Sequence, residues 1–145
     1  VFKVRKFNPN DMFSVIKLSA ESLTERYNPN LFNYFFETFP QGFFVCEIHH
    51  KIIGFIVGIK ISDDFAKILM LSVSKKYQNF GIGSQLLINF LREMIHHNIK
   101  KVELEVNTKN HRAVKFYKKH GFEIVDMINM FYENEDDAFI MRLIL

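Results

Sequence analysis

Leu71-Ser72-Val73-Ser74-Lys75-Lys76-Tyr77-Gln78-Asn79-Phe80-Gly81-Ile82-Gly83-Ser84-Gln85-Leu86-Leu87 is the stretch that decides how this chain is read. An apolar run ends near Ser74, two glycines follow, and apolar residues then recur at helical spacing. Ile82, Leu86, Phe90, Leu91 and Met94 fall on one face of that helix. The segment reads as buried strand, tight loop and helix. Glycines let the loop backbone approach a ligand closely. The helix start turns N–H groups and a partial positive charge toward the same point. The physical expectation is a bound phosphate or pyrophosphate. The Gly-Lys-Ser/Thr ending of a P-loop is absent, and Leu86 stands where a dinucleotide fingerprint needs its third glycine. Taken alone, the two glycines favour a plain helix-start turn.

Working outward, residues 2–7 alternate as a short strand, and Asn8-Pro9 opens a helix with Asn as N-cap and Pro at its first position. That helix runs to about residue 23, and Asn28-Pro29 opens a second that ends at Pro40-Gln41-Gly42. Residues 43–48 and 52–61 form a hairpin turning at His49-His50-Lys51. Residues 66–74 are the next strand, apolar enough at Ile68-Leu69-Met70-Leu71 to be buried on both faces. After the glycine loop and its helix, residues 101–106 are a strand and residues 110–120 a helix capped by Gly121. Ala113, Phe116, Tyr117 and His120 share a face of this last helix. Strands at 122–132 and 137–144 close the chain. The order predicts a single α/β domain over residues 1–145, a mixed sheet of about seven strands with about four helices. The unit from 66 to 106 should be a right-handed parallel crossover.

Composition agrees with one globular domain: 145 residues, 48% hydrophobic and 24% charged. Phe is abundant, seventeen in all, and its cluster at residues 32–44 forms core or lines an apolar groove. Cys46, the single cysteine, lies in an apolar run and reads as a small buried hydrophobe. No apolar run approaches the roughly 18 residues of a membrane span, and no signal-peptide pattern is read, so a cytoplasmic protein with no membrane partner is expected. The net charge of +3 is too small to favour nucleic acid as the main partner. Its basic residues gather at Lys100, Lys101, Lys109, Arg112, Lys115, Lys118 and Lys119, a patch suited to a phosphate-bearing ligand or to plain solvation. His49-His50 and His96-His97 read as a turn and an exposed helix end. Glu133-Asn134-Glu135-Asp136-Asp137 reads as a solvated hairpin tip, and no metal site is expected.

The glycine segment resembles the acetyl-CoA-binding motif of the GNAT superfamily of N-acetyltransferases, Gln/Arg-x-x-Gly-x-Gly/Ala after a buried strand. Leu104-Glu105-Val106, Asn110, Ala113, Tyr117 and Gly121-Phe122 resemble the second half of that fold, and the likeness covers essentially the whole chain. Three stretches resemble the subgroup that acetylates protein N-termini. Leu23-Thr24-Glu25-Arg26-Tyr27 is similar to its substrate-binding loop, with Thr24 in place of Pro. Leu104-Glu105-Val106 with Asn110 and Tyr117 follows its pattern, with Asn107 where Arg is usual. Residues 131–141 resemble its closing hairpin, with Phe131 replacing a Tyr.

The resemblance implies an enzyme with acetyl-CoA as co-substrate, no metal, and protein or peptide N-termini as acceptors, ribosomal proteins among them. The thioester arm would run along the backbone of Leu71, Ser72 and Val73, with a backbone N–H such as that of Leu71 polarising the carbonyl. Phe80, Gly81, Ile82, Gly83 and Ser84 would hold the pyrophosphate, Gln78 and Asn79 would bind the cofactor beside them, and Asn110 would hold the arm. Glu105 would be the base and Tyr117 the acid. Glu25, Tyr27 and Tyr132 would frame the peptide. The bland alternatives stand beside these: Glu105 as a solvent-facing or salt-bridged carboxylate, and Tyr117, Tyr27 and Tyr132 as core. Rival functions are acetylation of a small amine such as a polyamine, transfer to lysine, and a catalytically silent coenzyme A-binding module. Oligomeric state has no sequence signal.

Overall fold

The computed structural model describes residues 1–22 and 28–145. Among these residues seven strands form one sheet: β1 (Lys3–Lys6), β2 (Phe43–Ile48), β3 (Lys51–Ser62), β4 (Phe65–Val73), β5 (Lys101–Asn107), β6 (Glu123–Ile128) and β7 (Ala138–Ile144). Their order is β1-β2-β3-β4-β5-β7-β6. All neighbours are antiparallel except β4 and β5, the crossover pair expected from the sequence. Helices α1 (Met12–Ser22) and α2 (Asn30–Thr38) cover one face, and α3 (Ile82–His96) and α4 (His111–Lys119) the other.

The two faces have separate cores. Phe7, Phe32, Phe35, Phe43, Phe55 and Met70 belong to the core beneath α1 and α2, where Phe7 stacks on Phe43 at 4.0 Å between ring centroids. Ile56, Ile68, Leu86, Phe90 and Leu104 belong to the other. β4 serves both cores by a one-residue bulge. Val57 pairs with Met70 and Gly58 with Ile68, which leaves Leu69 extra. An extra residue inverts a period-two alternation. Ala66 and Ile68 therefore face α3, whereas Met70 lies in the core under α1 and Leu71 and Val73 pack toward α3. The double burial expected of Ile68-Leu69-Met70-Leu71 is achieved in this way.

Local chemistry fixes the boundaries. Asn8 caps a short 3-10 turn, Pro9–Asp11, in a capping box with Asp11 before α1 begins, so the expected start is displaced by a turn. His49 and His50 both take positive φ, 50° and 63°, the geometry of a tight hairpin. β6 stops at Ile128, earlier than expected, and turns and irregular backbone lead to the start of β7.

β3 carries Gly54 and Gly58 where α3 lies closest. A Cβ on Gly58 would come within 2.6 Å of the Phe90 ring and 2.8 Å of the Lys67 carbonyl oxygen. Gly58→Val should therefore destabilise the fold by about 1–3 kcal/mol through overpacking. A denaturant midpoint equal to that of the wild type would show that α3 can retreat from the sheet at no cost.

Candidate active site

The parallel pairing of β4 and β5 covers Phe65 to Lys67 opposite Lys101 to Glu103 and then ends. Beyond that fork the strands part, and a cavity of about 550 Å³ opens between them, lined among others by Met70, Leu71, Glu105, Asn110, Tyr117 and Tyr132. A second groove of about 260 Å³ runs on from it past Val73, Gln78, Asn79, Gly81, Ile82 and Gly83. Leu71, Asn110, Ala113 and Tyr117 line both.

The strand edge on the cleft offers backbone donors. Ser74 N–H donates to the Ile53 carbonyl at 2.7 Å. Antiparallel alternation carried back from that bond turns Ser72 toward β3 and the N–H groups of Val73 and Leu71 toward the cleft. The Val73 carbonyl follows the same rule and accepts Gln78 Nε2 at 3.1 Å.

At the far end, Gly81 is the N-cap of α3 with φ 80° and ψ 8°, and no side chain caps the first turn. The first-turn N–H groups of such a helix point outward without an intrahelical acceptor. A Cβ on Gly81 would meet nothing within 4 Å, so the loop borders open space. Arg112 braces it from α4: Nη1 donates to Gln78 Oε1 at 2.9 Å and Nη2 to Asn79 Oδ1 at 3.0 Å. Ser84 Oγ lies 2.9 Å from His120 Nε2. Burial, with Lys119 beside it, lowers the His120 pKa and favours the neutral ring.

Beside the wider cavity, which Glu105 lines, Lys67 Nζ lies 2.7 Å from Glu105 Oε2, so the carboxylate is salt-bridged and also faces the cleft. Tyr117 is 8% exposed, and burial raises its pKa well above the ordinary phenol value, so the hydroxyl stays protonated. Among the described residues no hydrogen-bond acceptor engages that hydroxyl, although its ring packs edge-on against Phe116 and Phe122. Asn110 is the N-cap of α4, its Oδ1 accepting from Ala113 N–H at 3.1 Å, which leaves its amide nitrogen to donate elsewhere. Tyr132 and Phe131 wall the cavity, their rings 5.0 Å apart.

These features fit coenzyme A as a ligand: an uncapped helix start for its pyrophosphate, a strand edge for its arm, and one groove joining them. The comparisons agree. The model of the acetyltransferase (GNAT) family matches residues 12–122. This chain belongs to that family. The N-alpha-acetyltransferase of Sulfurisphaera tokodaii is 27% identical, the alignment covering 97% of this chain and 91% of that one. Ard1 from Thermoplasma volcanium superposes with a TM-score of 0.96 at 36% identity, over 99% of this chain and 97% of that one. Naa50 of Arabidopsis thaliana, in complex with the bisubstrate analogue CoA-Ac-MVNAL, gives 0.84 at 26% identity, over 98% and 97%.

Within this GNAT domain the sequence-predicted residues distribute unevenly. Leu71, Val73, Gln78, Asn79, Gly81, Ile82, Gly83, Asn110 and Tyr117 line the narrower groove, and Glu105, Tyr117 and Tyr132 the wider. Ser72, Phe80 and Ser84 line neither. Ser72 is buried, and Phe80 is 67% exposed. Glu25 and Tyr27 lie outside the described residues.

Sequence reasoning missed Lys67, and it placed Arg112 only in a basic patch. It also read the acidic tip as merely solvated. Asp136 there accepts from Asn107 Nδ2 at 2.9 Å and from Lys109 Nζ at 2.8 Å, which ties the end of β5 to the closing hairpin and holds the Asp136 carboxyl below its usual range. The repeated Asn and Asp residues were a signal for such a local network.

Proposed function

We propose that this chain transfers the acetyl group of acetyl-CoA to the α-amino group of protein and peptide N-termini, within a ternary complex. It is an N-acetyltransferase of the GNAT family, with acetyl-CoA as co-substrate. The observation that carries the reading is the meeting of two grooves at Leu71, Asn110, Ala113 and Tyr117, one ending on the glycine loop and the other holding Glu105. The names of the relatives, and a bisubstrate ligand joining CoA to a peptide in the Arabidopsis protein, support the α-amine as acceptor. Ribosomal proteins are proposed as one acceptor class and the cytoplasm as the location. No helix among the described residues is long and apolar enough to cross a membrane.

Acetyl-CoA supplies the acetyl group already activated as a thioester. Gly81, Ile82 and Gly83 present first-turn N–H groups to the pyrophosphate, with Gln78 and Asn79 held in place by Arg112. The Asn110 amide and the cleft-facing edge of Leu71 and Val73 hold the arm. Leu71 N–H donates to the carbonyl oxygen as negative charge develops there. Glu105 takes the proton the amine loses as its nitrogen bonds to the carbonyl carbon, directly or through a water. The carbon–sulfur bond then breaks, and the Tyr117 hydroxyl gives its proton to the sulfur. A modest base suffices, because roughly a tenth of an α-amine is neutral at pH 7.

Incubating the protein with acetyl-CoA and a peptide library, and locating the acetyl group by mass spectrometry, tests the reading. Acetyl on α-amines, with a preference at the first residue, is expected. Coenzyme A binding without transfer to any peptide would overturn it. Tyr117→Phe should lower kcat by about 10²-fold or more with acetyl-CoA affinity kept. An unchanged rate would return Tyr117 to a packing role.

A further inference from the structure

The side chains of Glu103 and Glu105 project from the same face of β5, since Val102, Leu104 and Val106 are buried on the other. Each carboxylate has its own cation. Arg142 on β7 bridges Glu103 at 2.6 Å, and Lys67 on β4 bridges Glu105 at 2.7 Å. The second pairing is diagonal. The register partner of Lys67 is Glu103, yet its ammonium reaches along the strands to Glu105. Lys67 is also the last residue of β4 paired with β5, so the ion pair sits at the fork where the acceptor cavity begins. The side chains of Lys67 and Glu105 are 29% and 16% exposed, so the pair is partly shielded from water and from screening salt.

We propose that Lys67 sets the acceptor class of this site, its ammonium neutralising Glu105 and so selecting amines that arrive uncharged. The proposal rests on the α-amine reading and on Glu105 as the base. A half-buried carboxylate without a partner at the floor of a cleft attracts cations, as a site for polyamines or lysine ammonium groups would. Here that attraction is already satisfied within the chain. A cationic amine has either to displace Lys67 or to crowd a second positive charge onto one carboxylate. A neutral amine meets neither cost, and Glu105, which lines the cavity, can accept its N–H directly or through a bridging water. An α-amine is neutral roughly one time in ten at pH 7, a lysine amine less than about one time in a thousand. A neutral subsite amplifies that difference by building repulsion against the wrong acceptor.

The test compares kcat/KM for a peptide with a free α-amine with that for an N-terminally blocked peptide bearing one lysine. In Lys67→Met the α-over-ε ratio should fall about tenfold, whereas Lys67→Arg should keep the wild-type ratio. A second readout needs no turnover. A peptide carrying an N-terminal trimethylammonium group is permanently cationic and cannot be acylated. It should inhibit Lys67→Met about tenfold more strongly than the wild type or Lys67→Arg. Should Lys67→Met fail to fold, Lys67→Gln removes the same charge and carries the same comparison. An unchanged ratio and unchanged inhibition in the neutral variant, with the wild type active on α-amines, would overturn the role of Lys67 alone. A wild type inert toward peptide α-amines would overturn the acceptor reading, and this inference with it.

Discussion

Glu105→Gln lowers kcat by about 10²–10⁴-fold while acetyl-CoA binds as tightly as before. The substitution keeps the size and planar shape of the side chain and removes its capacity to take a proton at neutral pH. The amide oxygen still faces the Lys67 ammonium, and the pairing of β4 with β5 over Phe65 to Lys67 is untouched. Glu105 lines the wider cavity but not the groove that runs to the glycine loop. A defect in proton transfer therefore separates from a defect in cofactor binding. Steady-state kinetics with a peptide acceptor, beside calorimetric titration of acetyl-CoA, reads the two effects independently. A variant with wild-type kcat would reduce Glu105 to one half of a structural ion pair, and the base would have to be sought elsewhere in the cavity.

Gly83→Trp abolishes acetyl-CoA binding, with a loss of about 100-fold or more in affinity, equivalent to about 2.7 kcal/mol. Gly83 lies in the first turn of α3, and its conformation is an ordinary helical one rather than the left-handed one that Gly81 requires. A Cβ there would meet Phe116 at 3.6 Å and Val73 at 3.9 Å, which is plain van der Waals contact. The backbone therefore tolerates a side chain, and an indole would extend into the groove of about 260 Å³ between α3 and α4. The fold should survive, with a denaturation midpoint near that of the wild type, while the pyrophosphate site is filled. Normal affinity in a folded variant would move the cofactor away from the glycine loop.

Several parts of this protein were decided by short stretches of sequence. The glycine loop is legible because its chemistry is local: a buried strand, a left-handed glycine and an uncapped helix start follow one another within a few residues. The face of α4 that carries Ala113 and Tyr117, and the Asn110 cap before it, follow from helical spacing and a side chain that bonds three residues ahead. The family pattern added Glu105, which no periodicity singles out.

The tertiary structure decided what depends on register and on distant partners. The Leu69 bulge divides β4 between two cores and turns Leu71 toward the cleft. Period-two reading of an all-apolar run holds no information on where an extra residue falls. Lys67 meets Glu105 only because a crossover brings two distant strands side by side and then lets them part. Arg112 braces Gln78 and Asn79 across the gap between α4 and the loop, and in the sequence it is one basic residue among several. The amino-acid sequence by itself determined the fold and the glycine loop, since these follow from patterns within single elements. The charge balance around Glu105 was settled by tertiary structure, since electrostatic energy depends on the separation of groups in space and not along the chain.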